Sequence, residues 1–239
     1  MACGLLGVHA PAKALAQPAS ADPAALYANR ETLADAERAA AIWEQALAAD
    51  PGDFDAARKL ARACYWLGGR RATEEGREAA FTRGITVAEA AIAARSNQPD
   101  GFFWLAANMG GLAEMGGVRA GLRYRKPVRD NLEKVLALDP AFQKGSADRA
   151  LGRWYFKVPG LFGGSKTKSV QHLRASLSHH PESIASRYFL AETYESMNRD
   201  AEALALLKEI ETLPLDPEWE PEDREFKKQA RELLARLAP

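Results

Sequence analysis

The chain has 239 residues, of which 47% are hydrophobic and 27% are charged, proportions that are ordinary for a globular protein. Lys and Arg together number 32, as do Asp and Glu, so no net charge draws the chain to nucleic acid or to an anionic membrane. Ala is abundant and β-branched residues are sparse, which favours packed helices over strands. We therefore expect an all-α protein without a nucleic-acid partner.

The N-terminal segment differs in composition from the rest. Residues 1–16 hold a short apolar stretch that ends in an Ala-Leu-Ala triplet of the kind that signal peptidase cuts. The stretch lacks a basic start and is broken by Pro11, so three interpretations stay open: an export signal with a truncated start, a lipoprotein signal with its lipid on Cys3, or a disordered tail. We assign residues 1–22 to this signal-like or disordered segment and residues 23–239 to a single domain.

The domain is predicted to consist of helix pairs. Asp-Pro or His-Pro dipeptides close helices at three points, and helices with a Leu-small-x-x-apolar core lie between them. This is the pattern of tetratricopeptide repeats, whose small residues let partner helices approach closely. The four core pairs are Leu60-Ala61, Leu105-Ala106, Leu151-Gly152 and Leu190-Ala191.

The repeats are longer than the usual ~34 residues. We expect the excess inside the hairpins, at residues 68–80, 110–127 and 159–164. A last helix with Pro221 in its first turn should cap the open end. The predicted fold is therefore an all-α, tetratricopeptide-like helical-hairpin solenoid with long inserted hairpins and a C-terminal capping helix.

Two aromatic motifs carry a closer resemblance. Residues 103–110 read Phe-Trp-Leu-Ala-Ala-Asn-Met-Gly, and residues 151–160 read Leu-Gly-Arg-Trp-Tyr-Phe-Lys-Val-Pro-Gly before a Gly-Gly-Ser turn. Over roughly residues 25–237 the chain resembles the T-component family of TRAP transporters, although Ser165 replaces the usual Asp. The resemblance implies a periplasmic, often lipid-anchored helical protein that assists solute-binding proteins and forms homo-oligomers around a groove or pore for a hydrophobic ligand.

The sequence shows no catalytic constellation. The Gly-rich segment 160–167 lacks the residue order of a phosphate loop and follows no predicted strand. His179 and His180 suit a helix C-terminus better than a metal site, and Cys64 is expected to be a small buried hydrophobe. We therefore expect no enzyme activity, no metal and no cofactor.

The candidate binding site is the concave surface formed by the first helix of each pair. Its predicted lining combines aromatic rings with arginines, which would suit a peptide strand, an organic anion or an amphipathic molecule with one polar end. The alternative is that the insertions shift the register and the arginines are ordinary surface. The candidate ligand-binding residues are Arg58, Arg62, Tyr65, Phe103, Trp104, Asn108, Arg149, Arg153, Phe156 and Tyr188.

A Gly-bounded turn carries two further candidates, Leu161 and Phe162. We expect this apolar tip to fold back on the stack because exposed apolar groups cost solubility. Alternatively, the tip is offered to a partner, and both residues are then partner-binding. The basic run from Arg119 to Arg129 is expected to be a solvated insert, with docking of an acidic partner as the alternative.

Three functions follow as alternatives. The favoured one is a non-enzymatic periplasmic accessory protein of a transport system. It would bind a partner, such as a periplasmic solute-binding protein, or a small amphipathic substrate in the groove, with or without a lipid anchor. The second is a carrier of a lipid or sterol between membranes, its cavity enclosed by the insert at 110–127. The third is an envelope scaffold that uses the apolar turn.

Overall fold

The computed structural model describes residues 21–237, and their regular structure is entirely helical. The signal and lipoprotein hypotheses for residues 1–16 and Cys3 concern a segment outside the described residues. The predicted all-α class is confirmed. The helices are α1 (Pro23–Ala28), α2 (Leu33–Ala49), α3 (Phe54–Arg70), α4 (Glu74–Ala94), α5 (Pro99–Met115), α6 (Gly117–Leu138), α7 (Phe142–Lys157), α8 (Lys166–His179), α9 (Ile184–Glu195), α10 (Asp200–Thr212) and α11 (Glu220–Leu237), with a 3₁₀ turn at Gly160–Phe162.

Helices α3 to α10 form four consecutive hairpins, which confirms the predicted solenoid. The predicted core pairs fall in the first helices, α3, α5, α7 and α9, and all eight of their residues are buried. Neighbouring first helices also contact each other, α3 with α5 and α7 with α9. This stacking leaves the first helices along one side of the solenoid.

Local sequence signals explain where the helices begin and end. The Asp53 carboxylate accepts a hydrogen bond from the backbone amide of Ala56, and Ser165 caps α8 through the amide of Lys168. Helices α2, α6 and α8 end at the predicted Asp-Pro and His-Pro stops. His179 closes α8, as the sequence indicates.

Close helix approach depends on glycines around one aromatic ring. A Cβ at Gly68 would lie 2.6 Å from the Phe81 ring, and a Cβ at Gly111 would lie 2.3 Å from it. The ring of α4 therefore fits between α3 and α5 only because both positions lack side chains. Cys64 is buried beside this region, and desolvation raises the pKa of its thiol to about 12, so it acts as the expected small hydrophobe.

The excess residues at 68–80 and 110–127 lie inside the hairpins, as predicted, where they extend the helices, so that α4 has 21 residues and α6 has 22. One expectation about the inserts is wrong. The apolar tip does not fold back on the stack, because Leu161 is 90% exposed. The short 3₁₀ turn, closed by Gly163 at a φ of 103°, holds Leu161 outward.

The last helix, α11, caps the C-terminal end of the solenoid, and the residues at its start contact the first repeats. Helix α11 packs on α9 and α10, and Leu233 is buried in that contact, as predicted. The chain that leads into α11 and the first two turns of α11 also pass across the concave side. This second contact positions the candidate site.

Candidate functional site

The concave side of the solenoid is crossed by the chain's own residues 216–226, here called the crossing segment. Its Asp216 carboxylate lies 2.6 Å from the Lys144 ammonium at the start of α7. Its Phe226 ring packs 5.1 Å from the ring of Phe189 on α9. The groove is therefore occupied by a C-terminal segment and not by an inserted hairpin.

Arginines of the first repeats hold the acidic residues of the crossing segment. Arg30 is 3% exposed, pairs with Glu222 at 2.5 Å and donates to the backbone carbonyl of Glu218 at 2.8 Å. Arg62 pairs with the Glu218 carboxylate at 3.2 Å, and Arg70 pairs with Glu225 at 2.9 Å. These contacts join residues of the connection after α1 and of α3 to the crossing segment.

A pocket of about 250 Å³ remains beside the crossing segment. Four cationic side chains and three aromatic rings line it, against the single carboxylate of Glu218. Such a lining favours an anion with an apolar or aromatic body. The lining residues are Ala24, Tyr27, Ala28, Arg30, Trp43, Arg58, Lys59, Arg62, Trp104, Gln143, Pro217 and Glu218.

Arg62 lines this pocket and contacts three aromatic rings. Its guanidinium lies 4.6 Å from the ring of Trp219, 5.2 Å from that of Tyr27 and 5.8 Å from that of Trp104. Its Nε is buried without a hydrogen-bond partner, as is the Oε1 of Gln143. Because unpaired buried polar atoms are costly, this donor and this acceptor would gain from a bound polar group.

The backbone beside the pocket is strained. Gln143 and Lys144 have φ angles of 43° and 57°, a left-handed conformation that residues with a Cβ adopt at a cost. Gly145 continues this conformation without that cost. The turn sets Gln143 at the pocket and Lys144 against Asp216, and such strain commonly lies at functional sites.

Burial shifts the pKa values of two titratable groups at or beside the pocket. Burial raises the pKa of Tyr27 to about 12, so its hydroxyl stays neutral at ordinary pH. Burial also raises the pKa of Asp100, which lies 3.7 Å from Arg58. Across residues 21–237, no group of three or more His, Cys, Asp or Glu side chains is arranged to hold a metal ion.

The structure brings part of the predicted site together. Arg58, Arg62 and Trp104 line the same pocket, and Tyr65, 43% exposed, packs 6.0 Å from the Trp104 ring. Arg149 is half-buried on α7 and donates to the Ser146 hydroxyl. These residues share the concave side, as the repeat register predicts.

Arg153 and Phe156 form a neighbouring contact farther along the groove. The Arg153 guanidinium lies 5.4 Å from the Phe156 ring and 4.6 Å from the Phe189 ring. It also pairs with Glu192 at 2.5 Å. Arg153 and Arg62 are thus each paired with a carboxylate, but only Arg62 has a buried Nε without a hydrogen-bond partner.

Three predicted lining residues are wrongly placed, because they lie in the core. Phe103 is 7% exposed and is covered by the Phe142 ring at 5.4 Å. Asn108 is fully buried, and its amide donates to the carbonyls of Ala61 and Trp104. Tyr188 is 9% exposed beneath Phe226. Later segments of the chain cover Phe103 and Tyr188.

Four residues that contact the site were not predicted from the sequence. Tyr27, Arg30 and Trp219 were not among the candidates, nor was Gln143. The available signal was the acidic character of the crossing segment, which matches the arginines of α3 in charge. That segment contains Asp216, Glu218, Glu220, Glu222, Asp223 and Glu225.

The fold defines a tetratricopeptide-like helical-repeat protein. The chain belongs to the family described as Regulator of microtubule dynamics protein 1-3, whose model matches residues 24–162. No curated protein sequence matches the chain. The TRAP T-component resemblance names a different family and stays a prediction.

Solved structures of helical-repeat proteins share the fold. A thermophilic TPR protein of Thermus thermophilus has a TM-score of 0.67 at 21% identity, covering 91% of this chain and 100% of that one. MamA has a TM-score of 0.50 at 15% identity, with 85% and 95% covered. A monomeric mutant of IFIT1 with m7Gppp-AAAA has a TM-score of 0.60 at 16% identity, with 85% and 42% covered. None of the helices within residues 21–237 is long and apolar enough to cross a membrane.

Proposed function

We propose that this chain is a non-enzymatic protein that binds an acidic segment of a partner protein on its concave surface. The observation that carries the proposal is the crossing segment itself. Its Glu218, Glu222 and Glu225 carboxylates are held by Arg62, Arg30 and Arg70. A surface that holds an acidic helical segment of its own chain has the charge and shape to hold one from a partner.

The pocket beside the crossing segment would supply specificity. A carboxylate entering it would meet the unpaired Nε of Arg62 and the neighbouring cations Arg58 and Lys59. An aromatic or aliphatic group would pack between the rings of Tyr27, Trp43 and Trp104. The expected partner segment is therefore acidic and amphipathic.

The setting proposed for this activity is the periplasm, as an accessory of a transport system. The Ala-Leu-Ala triplet within residues 1–16 and the TRAP T-component-like motifs support that setting. The partner would then be a periplasmic solute-binding protein, and Cys3 is the candidate lipid site. The family name refers to regulators of microtubule dynamics, which agrees with a role exercised through another protein.

The carrier alternative would require a larger cavity. The remaining pocket, about 250 Å³, is below the ~300–1,000 Å³ typical of sites for drug-sized ligands. A sterol or a diacyl lipid would enter only if the crossing segment left the groove. The observed occupancy of the groove therefore favours a peptide segment over a lipid.

The test is a titration of the full chain with a labelled peptide of residues 216–237, followed by fluorescence anisotropy. The double variant Glu218→Gln/Glu225→Gln loosens the resident segment and should bind the peptide at least ten-fold more tightly than the unmodified chain, because that segment competes for the same arginines. Adding Arg62→Gln should remove most of this gain. Glu232→Gln is the matched control, since Glu232 is exposed on the same helix.

Equal peptide binding by the double variant and the Glu232 control would overturn the proposal. So would binding that does not depend on Arg62. The compartment is tested separately by fractionating cells that express the full chain from its natural start. Recovery in the cytoplasm would remove the periplasmic setting and leave the peptide-binding result unaffected.

A further inference from the structure

The exposed apolar side chains of this protein are concentrated in one region. Among residues 21–237 the exposed large hydrophobics are Tyr65 and four others: Val118 at 79%, Leu122 at 38%, Leu161 at 90% and Phe162 at 38%. Tyr65 lies at the groove. The other four lie on the first half of α6 and on the 3₁₀ turn, outside the site described above.

One contact brings the turn against α6, because the Arg125 guanidinium lies 5.3 Å from the Phe162 ring. The neighbouring helix α7 also contacts α6, where the Trp154 indole donates to the Arg125 carbonyl at 2.9 Å. Leu122 lies one turn before Arg125 on the same stripe of α6, and Val118 lies one turn further. Val118 and Leu122 thus lie on the helix that the turn contacts, and the four side chains Val118, Leu122, Leu161 and Phe162 are here called the apolar face.

The segments that carry the apolar face are free of acidic residues. Residues 117–129 contain Arg119, Arg123, Arg125, Lys126 and Arg129 with no Asp or Glu, although Lys126 and Arg129 pair with Asp130 just beyond this stretch. Residues 157–168, which flank the 3₁₀ turn, also contain Lys157, Lys166 and Lys168 and no acid. The chain as a whole has a formal net charge of zero, so this cationic region is a local segregation of charge.

We propose that the apolar face docks on an anionic lipid surface. Its Leu161 and Val118 side chains would enter the headgroup region, and Arg119 and Arg123 would lie over anionic headgroups. Protruding apolar tips within a cationic collar are the arrangement of peripheral membrane contacts. Leu161 projects from a turn, which lets it insert while the repeats stay above the surface.

The shape of the face favours a bilayer over an acidic protein. A protein partner would need a recessed, contiguous apolar centre with matching shape. Here the most exposed apolar groups are separate tips on a turn and at a helix start. A fluid bilayer accepts such tips without a matching cavity, because lipid rearranges around each side chain.

This proposal is independent of the groove. Its residues lie on α6 and the 3₁₀ turn, whereas the groove contacts involve α3, α7, α9 and the crossing segment. An experiment that contradicts one of the two proposals would not affect the other. Together they would place a partner-binding groove at a membrane surface without a membrane-spanning helix in the described residues.

The test is cosedimentation of the full chain with vesicles of phosphatidylcholine containing phosphatidylglycerol, and with vesicles of phosphatidylcholine alone. We expect binding to the anionic vesicles that weakens as salt is raised. Arg119→Gln should weaken partitioning about five-fold, the effect expected for one cation near an anionic surface. Leu161→Glu should weaken it at least ten-fold, because the insertion of the leucine side chain into the lipid is lost and a charge of the same sign as the lipid is added.

The matched control is Arg38→Gln with Arg231→Gln, two exposed arginines on α2 and α11. This control should partition like the unmodified chain. Equal binding to both vesicle types would overturn the proposal, as would unchanged binding of the Leu161→Glu chain. Absence of vesicle binding would also overturn it and leave the face to an acidic protein. Leu161 is 90% exposed, so its substitution is not expected to unfold the chain.

Discussion

Arg30 and Glu222 are 192 positions apart in the chain, and their side chains form an ion pair at 2.5 Å. The guanidinium is almost fully buried, between the rings of Tyr27 and Trp66. A buried guanidinium requires a counter-charge, so the position of Glu222 fixes where the chain must return. This pair anchors the crossing segment to the first repeat.

Removal of the Glu222 charge should destabilise the folded state. In Glu222→Gln, Arg30 would stay buried without its counter-charge, and the free energy of unfolding should fall by about 3 kcal/mol. Urea denaturation followed by circular dichroism measures this change. Glu232→Gln, exposed on the same helix, should change it by less than about 0.5 kcal/mol. Similar losses in both variants would show that the ion pair does not anchor the segment.

Asp223 should give stability a distinct pH dependence. Burial is the main cause that raises the pKa of this carboxyl to about 6 from the ordinary 3.8, so the folded state favours the protonated form. The contribution of Asp223 to the free energy of unfolding is therefore fully present below pH 3.8 and is lost as the pH rises through 6. In Asp223→Asn the neutral side chain still accepts from the Asp216 amide.

The Asp223→Asn chain should therefore be more stable than the unmodified chain by about 2 kcal/mol at neutral pH, with the difference disappearing below about pH 4. Urea titrations of both chains at several pH values check this, because the difference between them removes the contributions of other groups. A difference that is constant over the whole range would contradict the assignment.

The left-handed turn beside the pocket should be relieved by glycine. Gln143 has a φ of 43° and a buried, unpaired Oε1, and both are unfavourable. Gln143→Gly should therefore raise the free energy of unfolding by about 1 kcal/mol. Thermal denaturation measures the effect, and Ala150→Gly within α7 is the control that should lower stability by a similar amount. A loss of stability in Gln143→Gly would show that the turn is not strained.

Gly84 and Asn108 should prove energetically coupled. A Cβ at Gly84 would lie 2.0 Å from Oδ1 of Asn108, whose amide ties α5 to the Ala61 carbonyl of α3. Gly84→Ala should destabilise the chain by at least about 2 kcal/mol through this overlap. Combined with Asn108→Ala, it should cost less than the sum of the two single changes, as a double-mutant cycle would show. Strict additivity would mean that the clash is relieved elsewhere.

The repeat architecture could be predicted because its signals are local. The pair Leu60-Ala61 and its three counterparts each mark a helix within one unit, and the dipeptide stops mark its end. The lengthened hairpins were predicted in position but not in form. Nothing in the glycine-containing stretch 110–127 indicated that α6 would continue through Pro127.

The candidate site was predictable only in its residues from α3 and in Trp104 of α5. Arg58 and Arg62 were placed correctly by the repeat register, whereas Phe103 and Tyr188 occupy lining positions that other segments cover. The covering rings belong to later helices, Phe142 to α7 and Phe226 to α11. Periodicity within one helix carries no information about such long-range contacts.

The contact between the C-terminal segment and the first repeats also affects how the protein unfolds. In an open repeat stack each unit contacts only its neighbours, so end units can fray singly. Here Arg30, Arg62 and Arg70 bind the last segment to the first repeats, so either end of the chain can open only by disrupting the other. The repeats should consequently unfold in one cooperative transition, and a force that pulls on the two termini would load these ion pairs before any hairpin.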